Sequence, residues 1–178
     1  MRKIFLILVM ISSFAFGQIT LSKENGLTKY IVTEVPGKSA SEIYQKTIDW
    51  INKTYQRADV VIQGEVKDDY IRFQGIDEKS LCQNPQNKLF FSCLPFRHHI
   101  EISVKDGKYK FEIVKLEQKN SLFPKFSSNP WTDLIYTWNK KGELKPAVVG
   151  GLPDALNALN NDLKSYILGE SKKSNDDW

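Results

Sequence analysis

Residues that do chemistry are scarce in this chain. It has two histidines, His98 and His99, and two cysteines, Cys82 and Cys93, among 178 residues. No Gly-x-Ser-x-Gly elbow, His-Glu-x-x-His helix, phosphate-binding loop or dinucleotide glycine pattern occurs. With only two adjacent histidines, Ser-His-Asp or Cys-His catalysis has few candidate bases. Cys93 with His98 or His99 is the conceivable nucleophile pairing, and oxidation of Cys93 would remove it. A strong charge of one sign is missing too. The formal net charge is +4, and without Arg2 and Lys3 the balance is 23 basic against 21 acidic residues. Nucleic-acid binding calls for a concentrated basic patch, and none is visible, so no nucleic-acid partner is expected. No apolar run is long enough to cross a bilayer of roughly 30 Å as a helix, so no membrane span is expected.

What is present begins with an address. Arg2-Lys3 form a cationic start, Ile4 to Ile11 an unbroken apolar run, and Ala15 and Gly17 place small residues where a signal peptidase reads. Residues 1–17 are expected to be a signal peptide, cleaved after Gly17 to leave Gln18 as the first residue of a periplasmic or secreted protein. The rest of the chain is long enough for one domain with a real core, expected over 18–169, with a polar, flexible tail at 170–178. In an oxidising compartment Cys82 and Cys93 fit a disulfide. Free thiols, or a metal site completed by His98 and His99, are the other readings, and the spacing matches no zinc pattern. No cofactor and no metal is expected.

Periodicity organises the mature chain. Leu27 to Val35 is rich in β-branched residues and stops at Pro36-Gly37, which reads as a strand. Ser39 and Glu42 have capping-box spacing, and Ile43, Tyr44, Ile48, Trp50, Ile51 and Tyr55 form one apolar stripe, which predicts a helix lying flat on a sheet with Trp50 buried. Val60 to Val66 and Tyr70 to Ile76 read as a hairpin. If Lys67 faces Tyr70, Glu65 stands opposite Arg72 and Gly64 opposite Phe73. The Cys82–Cys93 segment reads as an inserted loop. Arg97 to Val104 and Lys108 to Leu116 form a second hairpin turned by Asp106-Gly107, a strong type I′ signal. A two-residue loop there pairs Val104 with Tyr109, Ile102 with Phe111 and Ile100 with Ile113. Residues 117–150 are irregular, with Leu134 to Trp138 a short strand or a helical turn. Pro153 suits the first turn of a last helix with Leu152, Leu156, Leu159, Leu163, Tyr166 and Ile167 on one face, stopped by Gly169. The order β-α-β-β-β-β-α predicts an α+β fold: a curved antiparallel sheet of about four to six strands covered on one face by two helices.

Val35-Pro36-Gly37-Lys38-Ser39 running into Ile43-Tyr44 and Trp50-Ile51, and then Val104-Lys105-Asp106-Gly107-Lys108-Tyr109, resembles a family of exported bacterial domains of unknown function with a TBP-like fold. The resemblance covers residues 27–116; 117–169 and the Cys82–Cys93 loop look like departures from the shared part. It implies strand order and no chemistry, because the family has no catalytic residues to carry over, and strand order does not transfer DNA binding.

Two clusters are candidate sites. On the polar face of the second hairpin, the register places Glu101 opposite Glu112, and like charges directly opposed are destabilising. His99 lies on the same face, expected opposite Val114. The three could hold a cation or share a proton, or Arg97, Lys110 and solvent simply screen the carboxylates. The second cluster is aromatic: Phe123, Phe126, Trp131, Tyr136 and Trp138 crowd a proline-broken segment, either as a satellite core or as a groove for a peptide or glycan. The reading favoured is an exported, non-catalytic binding or accessory module of the cell envelope, with an envelope protein or glycan as partner. The alternative is a hydrolase or metal-dependent enzyme using His99, Glu101 and Glu112.

Overall fold

The computed structural model describes residues 17–83, 92–119 and 129–170. Phe123 and Phe126, the tip of the cysteine loop, most of the expected signal peptide and the tail beyond Glu170 lie outside the described residues.

The chain runs β1 (Tyr30–Glu34), α1 (Ala40–Thr54), β2 (Ile62–Val66), β3 (Tyr70–Asp77), β4 (Phe96–Lys105), β5 (Lys108–Lys119), β6 (Trp131–Asp133) and α2 (Leu152–Leu168). The six strands form one antiparallel sheet in the order β6-β5-β4-β3-β2, with β1 also paired to β5. β5 is long enough to hold two neighbours on its outer side: β1 takes residues 108–112 and β6 takes 117–119. The expected β-α-β-β-β-β-α order is observed with one addition, the short strand β6 between β5 and α2, and the fold is α+β.

Local chemistry explains the starts and stops. Ser39 accepts from the Glu42 amide and Glu42 accepts from the Ser39 amide, closing the capping box of α1. Gly107, at φ 76°, makes the tight turn between β4 and β5. That turn is bolted to the start of α1: Val35 N–H donates to Gly107 O, Gly107 N–H to Lys38 O, and Ala40 N–H to Asp106 Oδ1, each at 2.8 Å. The Asp106 carboxylate thus also meets the positive end of the helix dipole. At the other end of the chain, Gly169 in the left-handed conformation caps α2.

The two helices cover one face of the sheet. Ile71, Phe73, Ile100, Ile102 and Phe111 point into the core and are fully buried, and Trp50 joins them at 1% exposure. Its ring meets Phe73 edge-on at 5.7 Å, and its indole N–H donates to Asp162 of α2 at 2.7 Å, so Trp50 joins both helices and the sheet. A buried polar cluster lies beside it: Asn160 Oδ1 accepts from Thr33 Oγ1 and Tyr109 O–H.

The structure corrects four local expectations. The first strand begins at Tyr30; Gly26–Leu27 turn away and pair with Leu21–Ser22 in a separate ribbon, Gly26 taking φ 67°. Val60 and Val61 belong to a short helical turn, because both their amides donate to Arg57 O. The first hairpin is displaced by one residue: Val66 faces Tyr70, Glu65 faces Ile71, and Gly64 faces Arg72. Asp68 adopts φ 62°, which makes Lys67-Asp68-Asp69 a three-residue loop. The second hairpin has the expected register up to Ile100, but a bulge then places His99 opposite Lys115 rather than Val114.

Cys82 and Cys93 are joined as a disulfide, with their Cα atoms 3.9 Å apart in a two-residue ribbon. Among the irregular residues, Thr137–Trp138 pair with Leu144–Lys145 around the Gly142 turn.

Candidate functional site

Among the described residues no element covers the face of the sheet opposite the helices, and the bulge in β5 decides what stands on it. Side chains alternate along a strand, so one extra residue exchanges the two faces beyond it. Past Val114, Leu116 turns inward and Glu117 turns onto the open face. Glu117 is only 6% exposed there because cations surround it. His99 Nε2 donates to its Oε2 at 2.9 Å, Lys115 Nζ to its Oε1 at 2.9 Å, and Arg97 Nε lies 2.7 Å from Oε2 at an angle that makes the contact an ion pair rather than a hydrogen bond. Burial pushes the Glu117 carboxyl up, but the hydrogen bonds from His99 and Lys115 and the charge of Arg97 outweigh it and hold its pKa at about 2.

The network continues outward. His99 Nδ1 lies 3.0 Å from Gln63 Oε1, and Gln63 Nε2 donates to Gln74 Oε1 at 2.9 Å. Lys115 also reaches Asp133 at 3.3 Å, and the Arg97 guanidinium stacks on Trp131 at 4.6 Å.

The expected triad is therefore not one site. Glu101 and Glu112 do stand opposite each other. But Glu101 is held by Arg72 at 2.6 Å, Glu112 pairs with Lys110, and His99 turns to Glu117. Arg97, expected to screen the two glutamates, is committed to Glu117 instead. Glu117 carried no visible signal: its placement depends on the bulge, and nothing in the residues around Val114 announces one. Among the described residues no group of three or more His, Cys, Asp or Glu is arranged to hold a metal. Of the aromatic segment, Trp131 lies under Arg97, while Tyr136 packs on the core and meets Trp138 edge-on at 5.7 Å.

At the hairpin end of the open face, Lys105 and Lys108 are directly opposed across the Asp106-Gly107 turn. With Val32, Ser103 and Lys110 they line a hollow of about 420 Å³. Neither Lys105 nor Lys108 forms an ion pair among the described residues.

A six-stranded antiparallel sheet, helices on one face and the other face open, defines an α+β domain of TBP-like type. The chain belongs to DUF4468, a domain family of unknown function with a TBP-like fold, which it matches over residues 30–119. Its fold is similar to that of a crystallised DUF4468 family protein from Bacteroides ovatus, at 13% identity and a TM-score of 0.61, over 89% of this chain and 95% of the other. A TBP-like protein from Parabacteroides distasonis is similar at 13% identity and a TM-score of 0.50, over 82% and 92% of the two chains. No curated protein matches. Among the described residues no helix is long and apolar enough to cross a membrane.

Proposed function

We propose that the protein is an exported, non-catalytic binding module of the cell envelope, and that it engages an acidic segment of a protein partner through the uncovered sheet face. The carrying observation is the contrast in charge along that face. Glu101, Glu112 and Glu117 are each neutralised by neighbouring cations, whereas Lys105 and Lys108 oppose each other and neither is ion-paired among the described residues, Glu34 of β1 standing opposite Lys108 without reaching it. Like charges directly opposed across strands destabilise each other, and a carboxylate supplied by a partner would relieve them. A glycan is less well served: the polar groups around Trp131 are committed to one another, and Arg97 occupies one face of the indole.

Residues 1–17 act as the signal peptide in this reading, and 18–169 as one domain. Two features support export. The Cys82–Cys93 disulfide suits an oxidising compartment. A chain beginning at Gln18 keeps the contact that docks its start, because Ile19, 1% exposed, exchanges two hydrogen bonds of 2.9 Å with the Asn157 carboxamide. N-terminal sequencing of protein recovered from the producing cells should read from Gln18; an intact Met1 on soluble protein refutes export.

Binding is tested by capture from the native envelope with the mature protein as bait, in parallel with Lys105→Glu/Lys108→Glu. The expected result is a partner retained by wild type, released by raised salt and lost with the charge reversal. Equal capture by both proteins refutes the proposed surface.

A further inference from the structure

The two edges of the sheet are finished differently. β2 carries two defences against further pairing. It is bulged between Ile62 and Gly64, and Glu65 turns its carboxylate toward α1, where it accepts from the Tyr44 hydroxyl at 3.0 Å. β1, beside β5, has neither. Its ladder is regular from Tyr30–Glu112 to Glu34–Lys108, and Tyr30 and Val32 are 56% and 44% exposed.

The hydrogen bonds fix which backbone groups of β1 face outward. Ile113 N–H donates to Lys29 O and Val35 N–H to Gly107 O, each at 2.8 Å. Hydrogen-bonded and non-hydrogen-bonded pairs alternate along an antiparallel ladder, so Ile31 and Thr33 also turn their backbone groups to β5. Tyr30, Val32 and Glu34 turn theirs away from the sheet, and among the described residues no hydrogen bond reaches them. The start of the chain does not close this edge. Thr20 O accepts from Thr28 N–H at 2.9 Å, but the neighbouring Ile19 gives its amide and carbonyl to the Asn157 carboxamide instead.

Beside the edge, α2 presents Asp154, Asn157, Asn161 and Lys164, which together with Val32 and Thr33 line a hollow of about 460 Å³. These four are spaced three, four and three residues apart, which places them on one helix face. Reversed, the stripe is its own complement: an antiparallel copy sets Asp154 against Lys164 and Asn157 against Asn161. A two-fold contact uses the same patch on both subunits and therefore requires such a surface. A peptide of one charge sign would suit one end of the stripe and be repelled by the other.

We propose that two copies of the protein pair through this edge. β1 of one copy runs antiparallel to β1 of the other about a two-fold axis at Val32 and Thr33. The outward amides and carbonyls bond across the axis, the sheet of each copy continues into the other, and the α2 stripes face each other and set the orientation. The contact runs along the edge of the sheet, so it does not depend on the binding of an acidic segment at Lys105 and Lys108 of β5 and β4.

Sedimentation and amide hydrogen exchange of the protein recovered from the producing cells test the pairing. A dimer should form in the micromolar range, as expected of a small interface. Exchange of the Tyr30, Val32 and Glu34 amides should slow as concentration rises through that range. Val32→Lys places two like charges at the axis on an exposed position, so the monomer should fold normally and dimerise at least about tenfold more weakly. Asp154→Lys sets like charges against Lys164 of the other copy and should weaken the dimer several-fold. The proposal is overturned if wild type stays monomeric at about 1 mM, or if a dimer forms while those three amides exchange as in the monomer. It is equally overturned if folded Val32→Lys or Asp154→Lys dimerises as wild type does. Should either variant fail to fold, the exchange of the wild-type amides decides alone.

Discussion

The two faces of one sheet solve the problem of polar groups in opposite ways. On the covered face, side chains exclude one another's water: Trp50, Phe73, Ile100 and Phe111 interlock, and the few polar atoms are handled singly, as with Asn160 or the Trp50 indole. On the open face, Glu117 is nearly as buried as a core residue, yet its cover is polar: the cations Arg97 and Lys115 and the His99 imidazole. The first arrangement derives its stability mainly from apolar area and dispersion. The second derives little net stability from its exposed members, and its main effect is to hold a set of polar groups in fixed positions. The fold is therefore expected to depend on the covered face, and recognition on the open one.

The largest effect should come from the covered face. Trp50→Ala removes a buried aromatic from the junction of both helices and the sheet, and should cost about 3–5 kcal/mol in urea unfolding. A loss below about 1 kcal/mol would mean that the covered face is not the source of stability. The disulfide should come next. Cys82→Ala/Cys93→Ala reopens a short loop whose first neighbour, Leu81, is buried in the core, and roughly 2–3 kcal/mol should be lost. Purified oxidised protein should also show no titratable thiol.

Glu117→Gln should cost about 1–3 kcal/mol, since it removes the charged partner of Arg97 and Lys115. Acid unfolding then separates the faces. The Glu117 pKa falls from 4.5 in the unfolded chain to about 2 in the folded one, so its contribution is complete above about 4.5 and is lost as pH drops toward 2. Burial on the covered face lowers His98 from 6.5 to about 4, so its contribution is complete above about 6.5 and is lost between there and 4. Wild type should therefore weaken in two successive stages. Glu117→Gln should flatten the more acidic one and His98→Phe the milder one. A single shared transition in all three proteins would erase the distinction. The smallest effect belongs to Glu112→Gln. Losing a half-exposed pair with Lys110 is offset by relief of the opposition to Glu101, so stability should change by less than about 0.5 kcal/mol. Divalent metals should raise the melting temperature of neither protein. A metal-induced rise confined to wild type would restore the enzymatic reading.

How much of the molecule is legible in its sequence depends on the range of the forces involved. The capping box at Ser39 and Glu42, the Asp106-Gly107 turn and the Gly169 stop are each closed within a few residues, so their chemistry is visible in the string. The pairings from Val104–Tyr109 to Ile100–Ile113 come from the turn by counting. Counting fails at the first irregularity. The first hairpin differs by one residue because Asp68 takes a left-handed conformation that no local pattern requires. The bulge at Val114 has the same effect on His99 and moves Glu117 onto the open face. The candidate site was thus half visible: His99 and the Glu101–Glu112 opposition could be foreseen, whereas Glu117, Lys115 and the pairing of Glu101 with Arg72 could not.

By itself, the sequence determined the order of elements from β1 to β5 and the last helix, the apolar faces of both helices, the buried Trp50 and the opposition of Glu101 to Glu112, because each rests on periodicity or on turn chemistry within a short stretch. Tertiary structure alone decided where Glu117, His98 and Asn160 lie, which carboxylate each cation neutralises and where a cavity remains. These depend on how distant segments meet, on a one-residue slip that exchanges the faces of a strand, and on a glycine at position 75 leaving room for the His98 imidazole and the Tyr55 phenol to touch.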